Sequence, residues 1–370
     1  MKHQIKFKII GIFLFVLAFA SCSTEEFALE ETTQEVTETQ NKVWQTKNFI
    51  FPDRPWTDRQ GKLINAHSGG ILYHNGFYHW YGTHKIPGTS ERTGSTDGGI
   101  HCYRSRDLVN WNDFGIVLKT RPKDSGHDLA HGARIQRAKV VYNERTKKFV
   151  AFFKLYPRGT KYQYTYLGVA TADSPTGPFT YRHKFYPASP TYGGGDFAMY
   201  KAPNGDLYHF TVRKGPGDRN VVKAKMRWDY LRPATKYELC RGVQRSTEGL
   251  AVFYKSGTYH LFGSGSNGWD PTAPRYYTSR NINGPWVKQS NPLRGYNKFS
   301  KAGPNLSFYG QSSFINTIHG KENQYILMMD VHENLNPHTS RYIWLPFKVK
   351  DRKMVVNWQD RWNMGWFDRN

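Results

Sequence analysis

EGLAVFYKSGTYHLFG, residues 248–263, decides the fold. A short apolar run leads to the pair Ser256-Gly257, and an aromatic-rich run returns from it. This is the pattern of two strands joined by a tight turn. The unit recurs four more times: GGILYHNGFYHWYG at 69–82, AKVVYNERTKKFVAFF at 138–153, DFAMYKAPNGDLYHF at 196–210 and SFINTIHGKENQYILMM at 313–329. The starts lie about 55–70 residues apart, which suits propeller blades of about four strands each. Further strand-like runs follow each unit, among them HCYRSRDLVNW, YLGVATADSPTGPF, VVKAKMRW and RYYTSRNINGPW. Long stretches of 3.6-residue period are missing. The pattern predicts an all-β, five-bladed β-propeller over 43–370. A pair of β-sandwiches would need a linker, and no Pro/Ser-rich break separates the units.

Outside these repeats the chain begins with an address. Lys2, Lys6 and Lys8 precede the apolar run Ile9 to Ala20, and Ser21-Cys22 follows. Twelve apolar residues are too few to span a bilayer, so residues 1–21 read as a signal peptide. Cys22 directly after it points to a bacterial lipoprotein, anchored in the outer membrane through lipid on the thiol and facing the periplasm or the cell surface. Residues 23–40 hold six Glu and no Lys or Arg, so 22–42 reads as a lipidated cysteine and an acidic tether.

The full chain of 370 residues has 52 Lys and Arg against 29 Asp and Glu. Residues 1–40 account for three of the basic and six of the acidic ones, which leaves 49 against 23 and a net charge of +26. Such a charge favours polyanions. Export argues against nucleic acid, which leaves an acidic glycan as a partner and a membrane reached only through the lipid. An aromatic content of 16% excludes a disordered chain. Three cysteines exclude a disulfide scaffold. Cys102 and Cys240 could pair, but sequence cannot place them within reach. No cofactor or metal site is expected.

The repeat also predicts a site. Counting six residues back from Tyr73, Tyr142 and Tyr254, or nine back from the turn glycines Gly76, Gly205 and Gly257, lands on His67, Gln136, Asp196 and Glu248. The fifth unit puts Gln311 in the same phase. Equivalent positions of innermost strands converge on a propeller axis. Five polar residues there are costly to bury unless they serve a ligand.

These motifs resemble glycoside hydrolase family 43, in particular its galactanase-like branch, the exo-β-1,3-galactanases and their neighbours. The carrying stretches are INAHSGGILYHNGFYHWYG, RAKVVYN, GGGDFAMYKAPNGDLY, STEGLAVFYKSGTYHLFGSGSNGW, GQSSF and SRYIWLPF. The resemblance covers about 43–370 and implies an exo-acting, inverting glycosidase of galactosyl or related furanosyl linkages in arabinogalactan-type plant polysaccharides. Inverting enzymes separate a general acid from a base by enough room for water. The resemblance implies Glu248 as the acid, Asp196 as the residue that tunes and orients it, and Gln311 as the holder or activator of water. The usual first-blade Asp base is absent, since the stretch reads Asn65-Ala66-His67-Ser68, which makes His67 the other candidate base. Galactanases begin the second-blade strand with a sugar-gripping Glu, where this chain has Gln136; that leaves galactopyranose, galactofuranose and arabinofuranose open. Asn65, His67, Gln136, Trp269, Tyr309 and Arg341 are the expected substrate contacts, and Trp80 and Tyr81 are further candidates for stacking on sugar. Two other functions compete: a surface glycan-binding lipoprotein without catalysis, and a polyanion-binding propeller. Glu248 separates them, because a pure binder needs no proton donor.

Overall fold

Each hairpin read from the sequence is the inner pair of an antiparallel sheet. The computed structural model describes residues 45–92, 95–160 and 162–369; the expectations for the signal peptide, Cys22 and the acidic tether lie outside them. Blade 1 is built from His67–His74, Phe77–Lys85, Asp97–Ser105 and Asn112–Lys119. Blade 2 follows with Arg134–Asn143, Lys148–Tyr156, Tyr166–Ala172 and Thr180–Phe185. Blade 3 has Gly194–Lys201, Leu207–Arg213, Val221–Lys225 and Glu238–Leu239, and blade 4 has Glu248–Lys255, Thr258–Ser264, Pro274–Ser279 and Val287–Lys288. In blade 5, Gln311–Thr317 is innermost, followed by Tyr325–Val331, Arg341–Lys350 and Lys353–Asn357. Leu293–Arg294 adds a fifth strand at its outer edge. The first strands of successive blades touch in order, and the fifth touches the first, so five blades close into a ring. This is the five-bladed β-propeller that the repeat predicts.

The apolar runs follow from this ring. A blade is buried on both faces, so its strands need apolar residues on both. In KFVAFFKLY, Phe149, Ala151 and Phe153 join a core shared with blade 1, whereas Val150 and Phe152 face blade 3. Further clusters fill the junctions of blades 3 with 4, 4 with 5, and 5 with 1. Cys102 and Cys240 lie buried and free in two different junctions.

The last junction is sealed by aromatic rings. Trp344 of blade 5 lies 4.6 Å from Trp80 and 5.9 Å from Trp111 of blade 1, and 5.0 Å from Trp56 of the segment that precedes it. That segment also pairs with the far end of the chain: Ile50 and Trp362 exchange backbone hydrogen bonds, and Asp53 N–H donates to Tyr342 O at 2.7 Å. Trp80 and Tyr81, expected as sugar-stacking candidates, are spent in this core and its neighbour.

Every inner strand carries one extra residue near its start. Register slips between His67 and Gly70, Gln136 and Lys139, Glu248 and Ala251, and Ser312 and Phe314, and in blade 3 between Gly194 and Phe197 opposite Thr211 and Arg213. A bulge of this kind re-aims the side chains beside it. The bulges also correct the sequence phasing. Tyr200 faces Tyr208 as Tyr73 faces Tyr78 and Tyr254 faces Tyr259, so the sixth residue back in blade 3 is Gly194, not Asp196. The turn Ala202–Asp206 is longer than the two-residue turns of blades 1 and 4, so counting from Gly205 misplaces the phase. Asp196 sits within the bulge itself.

Trp344→Ala is expected to destabilise the protein by about 3–5 kcal/mol, since it empties the centre of the closing junction. Equilibrium denaturation of the variant against wild type measures this.

Candidate active site

The bulged strand starts surround a cavity of about 550 Å³ at one mouth of the channel. Gln136, Asp196, Glu248 and Gln311 line it, as does Trp269. The size is that of an ordinary small-molecule site.

Glu248 owes its position to the residue after it. Gly249 has φ +61°, and a Cβ there would stand 2.7 Å from Ser312 O, so only glycine fits. Its N–H donates to Asp196 Oδ2 at 3.0 Å, and its carbonyl accepts from Ser312 Oγ at 2.5 Å. Blades 3 and 5 thus clamp the backbone on which Glu248 stands. The Glu248 side chain is partly exposed to the cavity, where Oε1 accepts from Arg219 Nη2 at 3.0 Å.

Asp196 is buried and ion-paired twice, with Arg137 Nη2 at 2.7 Å and Lys154 Nζ at 2.7 Å. Burial opposes its ionisation, but Arg137 and Lys154 outweigh that and hold the carboxyl well below the usual carboxylate range. With the Gly249 N–H, the carboxylate is fully engaged. The geometry therefore makes Asp196 an orienter of Glu248, while its charge, offset by two cations, has little left to raise a neighbouring acid.

Arg137 holds the other side. It has φ +57° in the blade 2 bulge and reaches across the axis. Nη2 donates to Gln311 Oε1 and Nη1 donates to Ser312 O at 3.1 Å. Gln311 Nε2 in turn donates to Gly268 O at 3.3 Å, so the amide is held at both ends. Trp269 stacks on His332, with centroids 4.2 Å apart and planes at 20°. Gln136 is 4% exposed, and its Nε2 has no partner among the described residues.

Four expected contacts lie elsewhere. His67 is sealed at 2% exposure beneath Tyr342, stacked at 5.3 Å, and Nδ1 shares a 3.2 Å hydrogen bond with the Tyr342 hydroxyl. Burial first, then Lys85 and nearby histidines, push its pKa well below the ordinary value. Asn65 is consumed by the backbone of Lys85, donating to its carbonyl at 2.8 Å and accepting from its N–H at 2.7 Å. Arg341 pairs with Asp53 at 2.9 Å and Glu333 at 2.5 Å, which ties the N-terminal segment to blade 5. Tyr309 is exposed and does not line the cavity. For the three that are engaged elsewhere the physical reason is the same: position in the sequence does not reveal which distant group meets the side chain.

Sequence reasoning missed Arg137, Lys154, Arg219 and Lys214, which also line the cavity. A signal existed for two of them. Arg137 and Lys154 are cations set among apolar residues inside inner strands, away from the strand ends. Among the described residues, no cluster of His, Cys, Asp or Glu is arranged to hold a metal.

The sequence profile of the glycosyl hydrolases family 43 matches residues 71–345. The chain belongs to this family. Among solved structures, a family 43 β-1,3-galactosidase aligns with TM-score 0.77 and 29% identity, over 87% of this chain and 65% of its own. A second β-1,3-galactosidase, solved with galactodeoxynojirimycin, aligns with TM-score 0.75 and 30% identity, over 85% of this chain and 100% of its own. The exo-β-1,3-galactanase of Clostridium thermocellum gives TM-score 0.72 and 26% identity, over 85% of this chain and 66% of its own. No curated protein sequence matches significantly.

Arg137→Lys keeps the charge but loses the fork that spans Asp196, Gln311 and Ser312. Turnover is expected to fall roughly 100-fold, as for a misplacement of catalytic groups by about 1 Å, with little change in KM. Steady-state kinetics checks the split.

Proposed function

We propose that the chain is an exo-acting, inverting β-1,3-galactosidase that trims galactan chains of arabinogalactan type. The observation that carries this reading is the convergence of Glu248, Asp196 and Gln311 on one cavity, each held by a different blade. The names of the aligned galactosidases and galactanase support the sugar and the linkage.

In this reading Glu248 is the general acid. It gives its proton to the glycosidic oxygen as the bond to the anomeric carbon breaks. Arg219 stands on the carboxyl face that the leaving oxygen must reach, so substrate displaces it. Water attacks the anomeric carbon from the opposite side and yields the inverted hemiacetal. Gln311 orients this water. Because Oε1 already accepts from Arg137, the amide is better suited to hold water than to take its proton. His67 has no access to the cavity and is set aside as base. Trp269 offers a ring face to the sugar, and Gln136 an amide. The leader and Cys22 support export and a lipid anchor on the outer membrane, facing the periplasm or the cell surface, where galactan fragments arrive.

Glu248→Gln is expected to lower kcat on β-1,3-galactobiose by roughly 10²–10⁴-fold while binding persists. Gln311→Ala is expected to lower kcat steeply with KM little changed. Released galactose measured by chromatography, with binding by calorimetry, tests both. A wild-type protein that binds the disaccharide and never cleaves it would leave only a glycan-binding role.

A further inference from the structure

The cavity wall between blades 2 and 3 carries positive charge that the protein does not neutralise. Gln136 lies directly opposite Lys154 in the first hairpin of blade 2, and Tyr156 follows Lys154 on the same face. Lys214 completes the wall from the end of the second strand of blade 3. Lys154 is matched by Asp196. Lys214 is not: its Nζ donates to Thr165 Oγ1 at 2.8 Å and to Tyr162 O at 3.3 Å, both neutral, and lies 5.2 Å from the centre of the Tyr156 ring. Among the described residues it forms no ion pair with a carboxylate.

The other carboxylates of the cavity are taken. Asp196 is held by Arg137 and Lys154, Glu248 faces Arg219, and Glu91 is paired with Lys85 and Arg134. The excess charge registers on Tyr156. Burial alone raises its phenol, yet Lys154 and Lys214 outweigh burial and hold it below its ordinary value. Beside this wall, the Gln136 amide presents an N–H with no partner. A buried donor left without a partner is costly, so a ligand acceptor gains by filling it. An ammonium without a carboxylate ion pair, lining the same cavity as an unfilled amide donor, favours an acceptor that is anionic.

We propose that this wall is a subsite for a carboxylated sugar, in which a uronic acid attached to the galactan chain sets its carboxylate against Lys214 and Gln136. The proposal rests on the galactosidase reading for its substrate and deepens it: Lys214 and Gln136 become residues that determine specificity. The acidic substituent supplies the counter-charge that the protein omits.

The test uses two β-1,3-galactosyl oligosaccharides of the same backbone, one branched with glucuronate and one with glucose at the same position. The quantity read is the ratio of their kcat/KM values. For wild type this ratio is expected to favour the acidic substrate by about tenfold at low salt, equivalent to one charge-assisted contact, and to shrink as ionic strength rises. Lys214→Met and Gln136→Glu should each bring the ratio to one or below. A wild-type ratio near one, or a preference that both variants retain, overturns the proposal and leaves the galactosidase reading intact. If neither substrate is cleaved, the galactosidase reading fails instead, and calorimetry with free glucuronate and glucose decides the subsite. A glucuronate preference lost in Lys214→Met then supports it, and equal affinity of wild type for both sugars overturns it.

Discussion

The guanidinium of Arg137 is the constraint on which the site depends. It starts from blade 2, crosses the axis and meets Asp196 of blade 3 and both Gln311 and Ser312 of blade 5. A guanidinium suits this task because its rigid fork satisfies several acceptors at once. Its charge makes the burial of Asp196 tolerable, and Asp196 in turn holds the Gly249 N–H beneath Glu248. A cation on one blade therefore positions the proposed proton donor of another. Removing one partner of such a buried set leaves an uncompensated charge, which is far costlier than never having had the pair.

The same device recurs at other junctions. Asp97 of blade 1 accepts the Ile135 N–H of blade 2 at 2.9 Å, and Asp330 of blade 5 accepts the Ser68 N–H of blade 1 at 2.8 Å. Buried aspartates thus staple the start of one inner strand to a neighbouring blade. Lys139 adds a fourth link from blade 2, donating to Gly69 O at 2.9 Å. Burial, aided by Arg137, lowers this ammonium to about 7. The bulges that aim the side chains of the candidate site are pinned by these contacts, so the mouth of the channel is rigid where the proposed chemistry needs precision.

Much of this was legible in the sequence for a physical reason. Tight turns at Asn75-Gly76 and Ser256-Gly257 mark hairpins locally, and apolar residues on both faces of a blade leave runs such as KFVAFF. Glu248 fell in the right phase because bulge and turn have the same length in blade 4 as in blade 1. The blade 5 turn runs over seven residues, so Gln311 is in phase by its place opposite Asp330 at the strand start and not by any count from the turn. Asp196 was found with the wrong count, since a longer turn offset the bulge. His67 and Arg341 were misread because their partners, Tyr342 and Asp53, lie more than 270 residues away in sequence. Ring closure by residues 45–66 was invisible for the same cause. Arg137 stood in plain view, but a cation in a strand does not announce which anion it will meet.

The chemistry follows from which carboxylates remain free to act. Asp196 is saturated by two cations and an N–H, and Glu91 by Lys85 and Arg134. Glu248 alone faces the cavity with a partner that substrate can displace. With Glu248 as the proposed single working carboxylate and Gln311 as the proposed holder of water, the reaction is a single displacement with no covalent glycosyl-enzyme. The direct test is the anomer first released from a β-1,3-linked galactobiose, followed by proton NMR before mutarotation. The account predicts α-galactose as the initial product. β-Galactose appearing first would show that a carboxylate attacks carbon, and would contradict it.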